Sequence, residues 1–142
     1  MSGTSLDGVD AVLVDFHATP PVLLETFFYP YGDELRQQLL MLHHPGHDEL
    51  ERASIMSNRL SHLYARATIG LLQRARFGSE RIAAIGCHGQ TIRHCPEQGR
   101  NYTIQLVNAA LLAELVSITV VNDFRSRDIA AGGQGAPLVP AF

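Results

Sequence analysis

Short runs of β-branched and apolar residues alternate along this chain with longer stretches in which apolar residues recur every three or four positions. Val9 to Phe16 (VDAVLVDF) is short and valine-rich, which predicts a largely buried strand. Leu23 to Tyr29 (LLETFFY) predicts a second strand after a turn around Pro20-Pro21. Strands in such immediate succession pair antiparallel, as in a β-meander. Asp33 offers an N-cap to a short helix with Leu35, Leu39 and Leu42 on one face, ended by Pro45-Gly46. From about Asp48 to Arg76, the residues Leu50, Ala53, Met56, Leu60, Leu63, Ala67 and Leu71 form one apolar stripe. That spacing predicts a long helix facing the core. Asp48-Glu49-Leu50-Glu51 has the pattern of a capping box, and Gly78 sits where a left-handed C-terminal residue belongs.

Ile82 to Cys87 (IAAIGC) predicts a buried strand and Tyr102 to Leu106 (YTIQL) a shorter one. Asn108 can cap a helix over Ala109 to Val116, and Ile118 to Val121 reads as a last strand. A meander combined with a crossover helix gives an α/β fold: a mixed sheet with flanking helices. The opening MSGTS is turn-like, and the glycine- and proline-rich stretch before Phe142 leads toward a helix, so both ends read as cut.

Composition narrows the function classes. A chain of 142 residues supports one domain with a core, burying roughly 70% of its unfolded surface. Hydrophobic residues at 46% and charged residues at 18% are ordinary for a globular domain. A net charge of -3 provides no basic surface, so neither nucleic acid nor anionic lipid is expected as a partner. Apolar runs such as Ala109 to Leu115 fall far short of the ~20 residues a membrane span needs. No charged segment followed by an apolar one marks a secretory signal, and two cysteines make no disulfide framework. A cytoplasmic location is the default expectation.

Three polar, glycine-bearing segments fall at strand ends, where open α/β sheets place ligands. In Gly3-Thr4-Ser5-Leu6-Asp7-Gly8, glycines let amides turn toward an anion, hydroxyls add donors, and Asp7 suits a metal beside a phosphate. A tight hairpin with polar decoration explains the same residues equally well. Gly86 to His94 (GCHGQTIRH) follows a buried strand with donors and acceptors suited to a polyhydroxylated ligand. A zinc site from Cys87, His88, His94 and Cys95 fails on geometry, because adjacent strand residues face opposite ways and no Cys-x-x-Cys spacing occurs. Asn122 to Asp128 (NDFRSRD), before the glycine-rich loop, could clamp a carboxylate or phosphate or form a surface ion-pair network. Neither a Gly-x-Gly-x-x-Gly fingerprint nor a Walker A sequence is present.

Taken together, MSGTSLDGVD at 1–10, GCHGQTIRH at 86–94 and NDFRSRDIAAGGQGAPLVPAF at 122–142 resemble the signature stretches of the 1,6-anhydro-N-acetylmuramic acid kinases. The resemblance runs through HHPGHDEL and NAALLAEL as well, and so covers nearly the whole chain. It implies an actin/ribonuclease H-like N-terminal domain, incomplete here, from a two-domain kinase whose second domain is absent. It implies ATP and Mg2+, a small anhydro-sugar substrate released by cell-wall turnover, and a homodimer for the full-length enzyme. Gly3, Thr4, Ser5, Leu6, Asp7, Gly8, Val9 and Asp10 match the ATP-phosphate turn, with Asp7 toward the metal. His88, Gln90 and Thr91 match the sugar-side loop, and Arg127 an arginine that contacts the sugar. Arg125 is then the internal ion-pair partner, held by Asp123 or Asp128, and it shares a direction with Arg127 if the segment is extended. The family's catalytic aspartate belongs to a Gly-Phe-Asp-x-Gly-Pro-Gly-Asn-like motif that nothing in these residues matches. A fragment inactive alone is the expectation. A non-catalytic sugar-binding or regulatory module of the same fold is the alternative.

Overall fold

A hairpin built from the two valine- and phenylalanine-rich runs opens the fold. The structure, a computed structural model, describes residues 6–97 and 99–136. Strand β1 (Gly8–Asp15) pairs antiparallel with β2 (Val22–Pro30), with Val9 opposite Tyr29 and Leu13 opposite Glu25. The register then slips, placing Val14 opposite Leu23, a bulge that adds local twist. Both strands lie within a residue of their expected positions.

Helix α1 (Asp33–Met41) follows, and Leu35, Leu39 and Leu42 are buried as their spacing requires. Its cap differs from expectation. Gly32 occupies the N-cap, and Asp33 is already helical, where its carboxylate still favours the positive end of the helix. Helix α2 (Glu49–Ala75) buries Met56, Leu60, Ala67 and Leu71, but Leu50 is 87% exposed, so the stripe begins at Ala53. Asp48 is left-handed and makes no capping bond, so the expected capping box does not form. At the other end Arg76, not Gly78, takes the left-handed conformation; Gly78 is extended before a short 3-10 turn, Ser79–Arg81.

The buried strand expected over Ile82 to Cys87 is reduced to β3 (Ile85–Gly86). The segment after it, expected as a polar loop, is strand β4 (Gln90–Cys95), antiparallel to β5 (Tyr102–Leu106). Helix α3 (Ala109–Val116) has the expected bounds, and the Asn108 side chain accepts from the Leu111 amide at 3.0 Å. Strand β6 (Val120–Val121) runs parallel to β3, so the α3 connection is a crossover. Residues Phe124–Ala130 then form α4, a helix where an extended segment was considered. The fold class is the expected mixed α/β, with its strands in three two-stranded ladders, two antiparallel and one parallel. One core joins them: Leu39, Leu42, Leu60 and Leu112 are wholly buried between the helices and the strands.

Candidate functional site

Of the phosphate-turn residues, Gly3, Thr4 and Ser5 lie outside the described residues. Leu6 is buried in a left-handed conformation, uncommon for a branched residue, and turns the chain into β1. The Asp7 carbonyl accepts from the Tyr31 amide at 2.9 Å, which fastens this turn to the end of β2. Gly8 is required by packing: a Cβ there would stand 2.5 Å from both the Phe28 ring and the Tyr29 carbonyl oxygen. Asp7 and Asp10 are exposed while Gly8 and Val9 are buried, so the turn presents two carboxylates beside a fixed backbone.

The second segment begins where β3 ends. Cys87 is 8% exposed, and burial pushes its thiol above the ordinary cysteine range. At His88 the Nδ1 atom lies 2.7 Å from the Gly89 carbonyl, which can only accept, so Nδ1 carries the proton. Nε2 is then free to accept, and Arg125 Nε donates to it at 2.9 Å. Burial, joined by the arginine's charge and opposed by the Gly89 bond, lowers the His88 pKa below its ordinary value. Gly89 sits at φ +74, with the Leu106 carbonyl 2.9 Å from where a Cβ would be, which leaves only glycine for the turn into β4. Gln90 is wholly buried, and the Thr91 hydroxyl accepts from Gln105 Nε2 at 3.2 Å.

In the third segment Asp123 is left-handed, and its carboxylate accepts from the Ser126 amide (3.4 Å) and hydroxyl (2.6 Å). Asp128 accepts from the Gly135 amide at 2.7 Å and holds the glycine-rich loop against α4. Both aspartates are therefore engaged locally, and Arg125 is not their ion-pair partner; it joins this segment to the second through His88. Because the segment is helical, residues two apart sit ~200° apart around the axis, so Arg125 and Arg127 point in nearly opposite directions. Arg127 is exposed and makes no side-chain hydrogen bond or ion pair among the described residues.

Val9, Asp10 and His88 line one cleft of about 880 Å³, so the first and second segments do meet. Gln90, Thr91 and Arg127 do not line it. A second recess of about 220 Å³ is lined by Thr103, Gln105, Asn122, Asp123 and Ser126, polar groups from β5 and the start of α4. The sequence reading passed over this recess, although the alternation of Thr103 and Gln105 in YTIQL marks one polar face. Among the described residues no group of three or more His, Cys, Asp or Glu could cage a metal. A single exposed carboxylate such as Asp7 fits magnesium carried on nucleotide phosphates, which needs only one or two protein carboxylates.

Polar, glycine-bearing segments at the strand ends of a mixed α/β fold are consistent with an incomplete actin/ribonuclease H-like domain. The family described as anhydro-N-acetylmuramic acid kinase matches residues 1–142, and the chain belongs to that family. It is 63% identical over 142 residues to a protein of that name from Nitrosospira multiformis and 62% identical to one from Nitrosomonas europaea. Over 143 aligned residues it is 59% identical to one from Thiobacillus denitrificans. All of this chain is covered in each comparison, against 39%, 39% and 37% of the three relatives. The chain thus spans under two fifths of the length of the curated relatives it matches.

Proposed function

We propose that these residues are the N-terminal domain portion of a two-domain kinase that phosphorylates 1,6-anhydro-N-acetylmuramic acid in cell-wall recycling. The observation that carries this reading is the identity of 62–63%, without loss of coverage of this chain, to proteins that bear the kinase name. In the proposed reaction a carboxylate takes a proton from water, and the water oxygen bonds to the anomeric carbon. The bond from that carbon to O6 breaks, and O6 takes the γ-phosphoryl group of ATP. The products are N-acetylmuramic acid 6-phosphate and ADP.

In this reading Gly3 to Asp10 hold the ATP phosphates, with the Asp7 carboxylate toward magnesium. Magnesium, when bound, offsets the phosphate charge that in-line transfer concentrates. His88, Gln90, Thr91 and Arg127 are assigned to the sugar side, with Gln90 wholly buried at the start of β4. Arg127 has the exposed, uncommitted guanidinium that a sugar carboxylate would pair with bidentately. The activating aspartate is supplied from outside these residues, so the isolated chain is inactive. A cytoplasmic homodimer for the whole enzyme belongs to the same proposal; no helix among the described residues is long and apolar enough to cross a membrane.

The test joins this chain to the remaining portion of the Nitrosospira multiformis relative and runs the reaction in ¹⁸O-water. The expected product carries the label on the anomeric hydroxyl and an unlabelled phosphate on O6. Label in the phosphate, or phosphorylation with the anhydro bridge intact, would overturn the reading.

A further inference from the structure

A register slip in the β4-β5 ladder sets which way Thr91 points. Thr91 lies opposite Gln105, but Arg93 lies opposite Ile104 and His94 opposite Thr103, so Ile92 is an extra residue without a cross-strand partner. In a regular strand residues two apart share a face, and Thr91 would follow Arg93. The bulge parts them. Gln105 Nε2 donates to the Thr91 hydroxyl at 3.2 Å and to the Thr103 hydroxyl at 2.6 Å. His94 Nδ1 lies 3.2 Å from the same Thr103 oxygen, so Thr91, His94, Thr103 and Gln105 form one polar face. Thr103 and Gln105 also line the 220 Å³ recess with Asn122, Asp123 and Ser126, on the side of α4.

Arg93 goes the other way, to α2. Its Nη2 donates to Glu49 Oε1 at 2.6 Å, and the two side chains are only 17% and 28% exposed. Glu49 Oε2 also accepts from the Gly46 amide at 3.4 Å, which ties the pair to the loop between α1 and α2. Ile92, the extra residue, is buried in the core beside it. The Thr103 hydroxyl donates to the Arg93 carbonyl at 3.3 Å and braces the bulge from the other strand. A half-buried ion pair adds little net stability over a well-packed apolar pair. It does fix register, because a strand slipped by one residue turns Arg93 to the opposite face and leaves both charges unpaired.

We infer that Arg93 is a positioning residue: its ion pair with Glu49, 44 residues away in sequence, locks the Ile92 bulge and so holds the Thr91 hydroxyl on the sugar side. The inference rests on the sugar-side assignment of Thr91 in the proposed function. Arg93 and Glu49 act through Thr91 and touch no substrate.

The experiment has two arms. NMR on the chain itself reads the register, through NOEs that pair Thr91 with Gln105 and His94 with Thr103; the parent shows both. Arg93→Met should lose one of these pairings, whereas Arg93→Lys, which can reach the single Nη2 contact, should keep both. Glu49→Gln removes the same charge pair from the helix side and should reproduce Arg93→Met, so the test survives a variant that does not fold. The second arm measures kinetics on the chain joined to the remaining portion of the Nitrosospira multiformis relative. There Arg93→Met should raise the sugar KM roughly three- to tenfold, as for one lost neutral hydrogen bond, with the KM for ATP within about twofold. Arg93→Lys should stay near the parent. Both pairings intact in Arg93→Met and Glu49→Gln would overturn the inference, as would a lost pairing with unchanged sugar KM. Equal rises in both KM values would mean general loosening and overturn it too. A joined parent without kinase activity would contradict the proposed function instead, and the register arm would still decide whether the ion pair holds the bulge.

Discussion

Ser61→Ala isolates one hydroxyl that ties two helices together beneath the site. Ser61 is wholly buried on α2, and its Oγ accepts from the Asn108 amide at 2.8 Å. With a single proton it donates either to the Ser57 carbonyl at 2.9 Å or to the Asn108 carbonyl at 3.0 Å. Asn108 is the cap of α3, which leads through β6 to α4 and so sets the position of Arg125. Alanine would leave the Asn108 amide without its acceptor, while the Asn108 carbonyl keeps the Leu112 amide at 3.0 Å and the cap keeps its bond to Leu111. The loss is therefore one buried donor, about 1–3 kcal/mol, less a few tenths recovered from alanine's helix propensity. A net loss of roughly 1–2 kcal/mol should lower the urea midpoint of the chain by ~0.5–1 M at unchanged slope. Circular dichroism at 222 nm follows the transition. A midpoint within ~0.2 M of the parent would refute the reasoning, since a buried orphan amide would then carry no cost.

Other perturbations test the site itself. Gly8→Ala should destabilise the chain by ~1–3 kcal/mol, because the Tyr29 carbonyl beside the new methyl belongs to the paired strand and cannot step aside; thermal unfolding measures it, and a neutral result would return Gly8 to a phosphate-binding role alone. His88 is held neutral when folded, so the unfolded chain takes up its proton first as pH falls below about 6.5. Stability from this group is complete above that pH and lost below it, and His88→Gln should flatten that acid limb in a pH series of urea midpoints. In the enzyme completed with the relative's remaining portion, Arg127→Ala should raise the sugar KM roughly ten- to a hundredfold, for a lost charge-assisted contact of ~1.5–3 kcal/mol, with little change in KM for ATP. Steady-state kinetics with each substrate varied in turn decides it; unchanged sugar kinetics would remove Arg127 from the site.

The elements legible in the sequence are those whose signals are local. The β1-β2 hairpin followed from two apolar runs around a proline turn, and α3 from a cap and seven apolar residues in eight. Strand β4 was not legible, because QTIRHC mixes polar and apolar residues and becomes a strand only by pairing with YTIQL. The caps were misread because Asp48 and Arg76, both exposed, adopt left-handed conformations that propensity assigns to glycine. At the site the polar segments were found, but their partners were not. Arg125 looked like an ion-pair residue beside two aspartates, whereas α4 carries it round to His88, 37 residues away in sequence. The helix signal was present in Asp123 standing ahead of Phe124–Ala130, with Ser126 placed to donate to its carboxylate.

The central claim is that these residues serve as the N-terminal portion of an anhydro-N-acetylmuramic acid kinase and act only when completed. ADP release in the presence of 1,6-anhydro-N-acetylmuramic acid and ATP tests it most directly, on the isolated chain and on the chain joined to the remaining portion of the Nitrosospira multiformis relative. The joined enzyme should turn over within about tenfold of the intact relative. The isolated chain should stay at background, since a missing base alone removes a factor of around 10² to 10⁴. A folded but inactive joined enzyme, or an isolated chain as fast as the relative, would contradict the account.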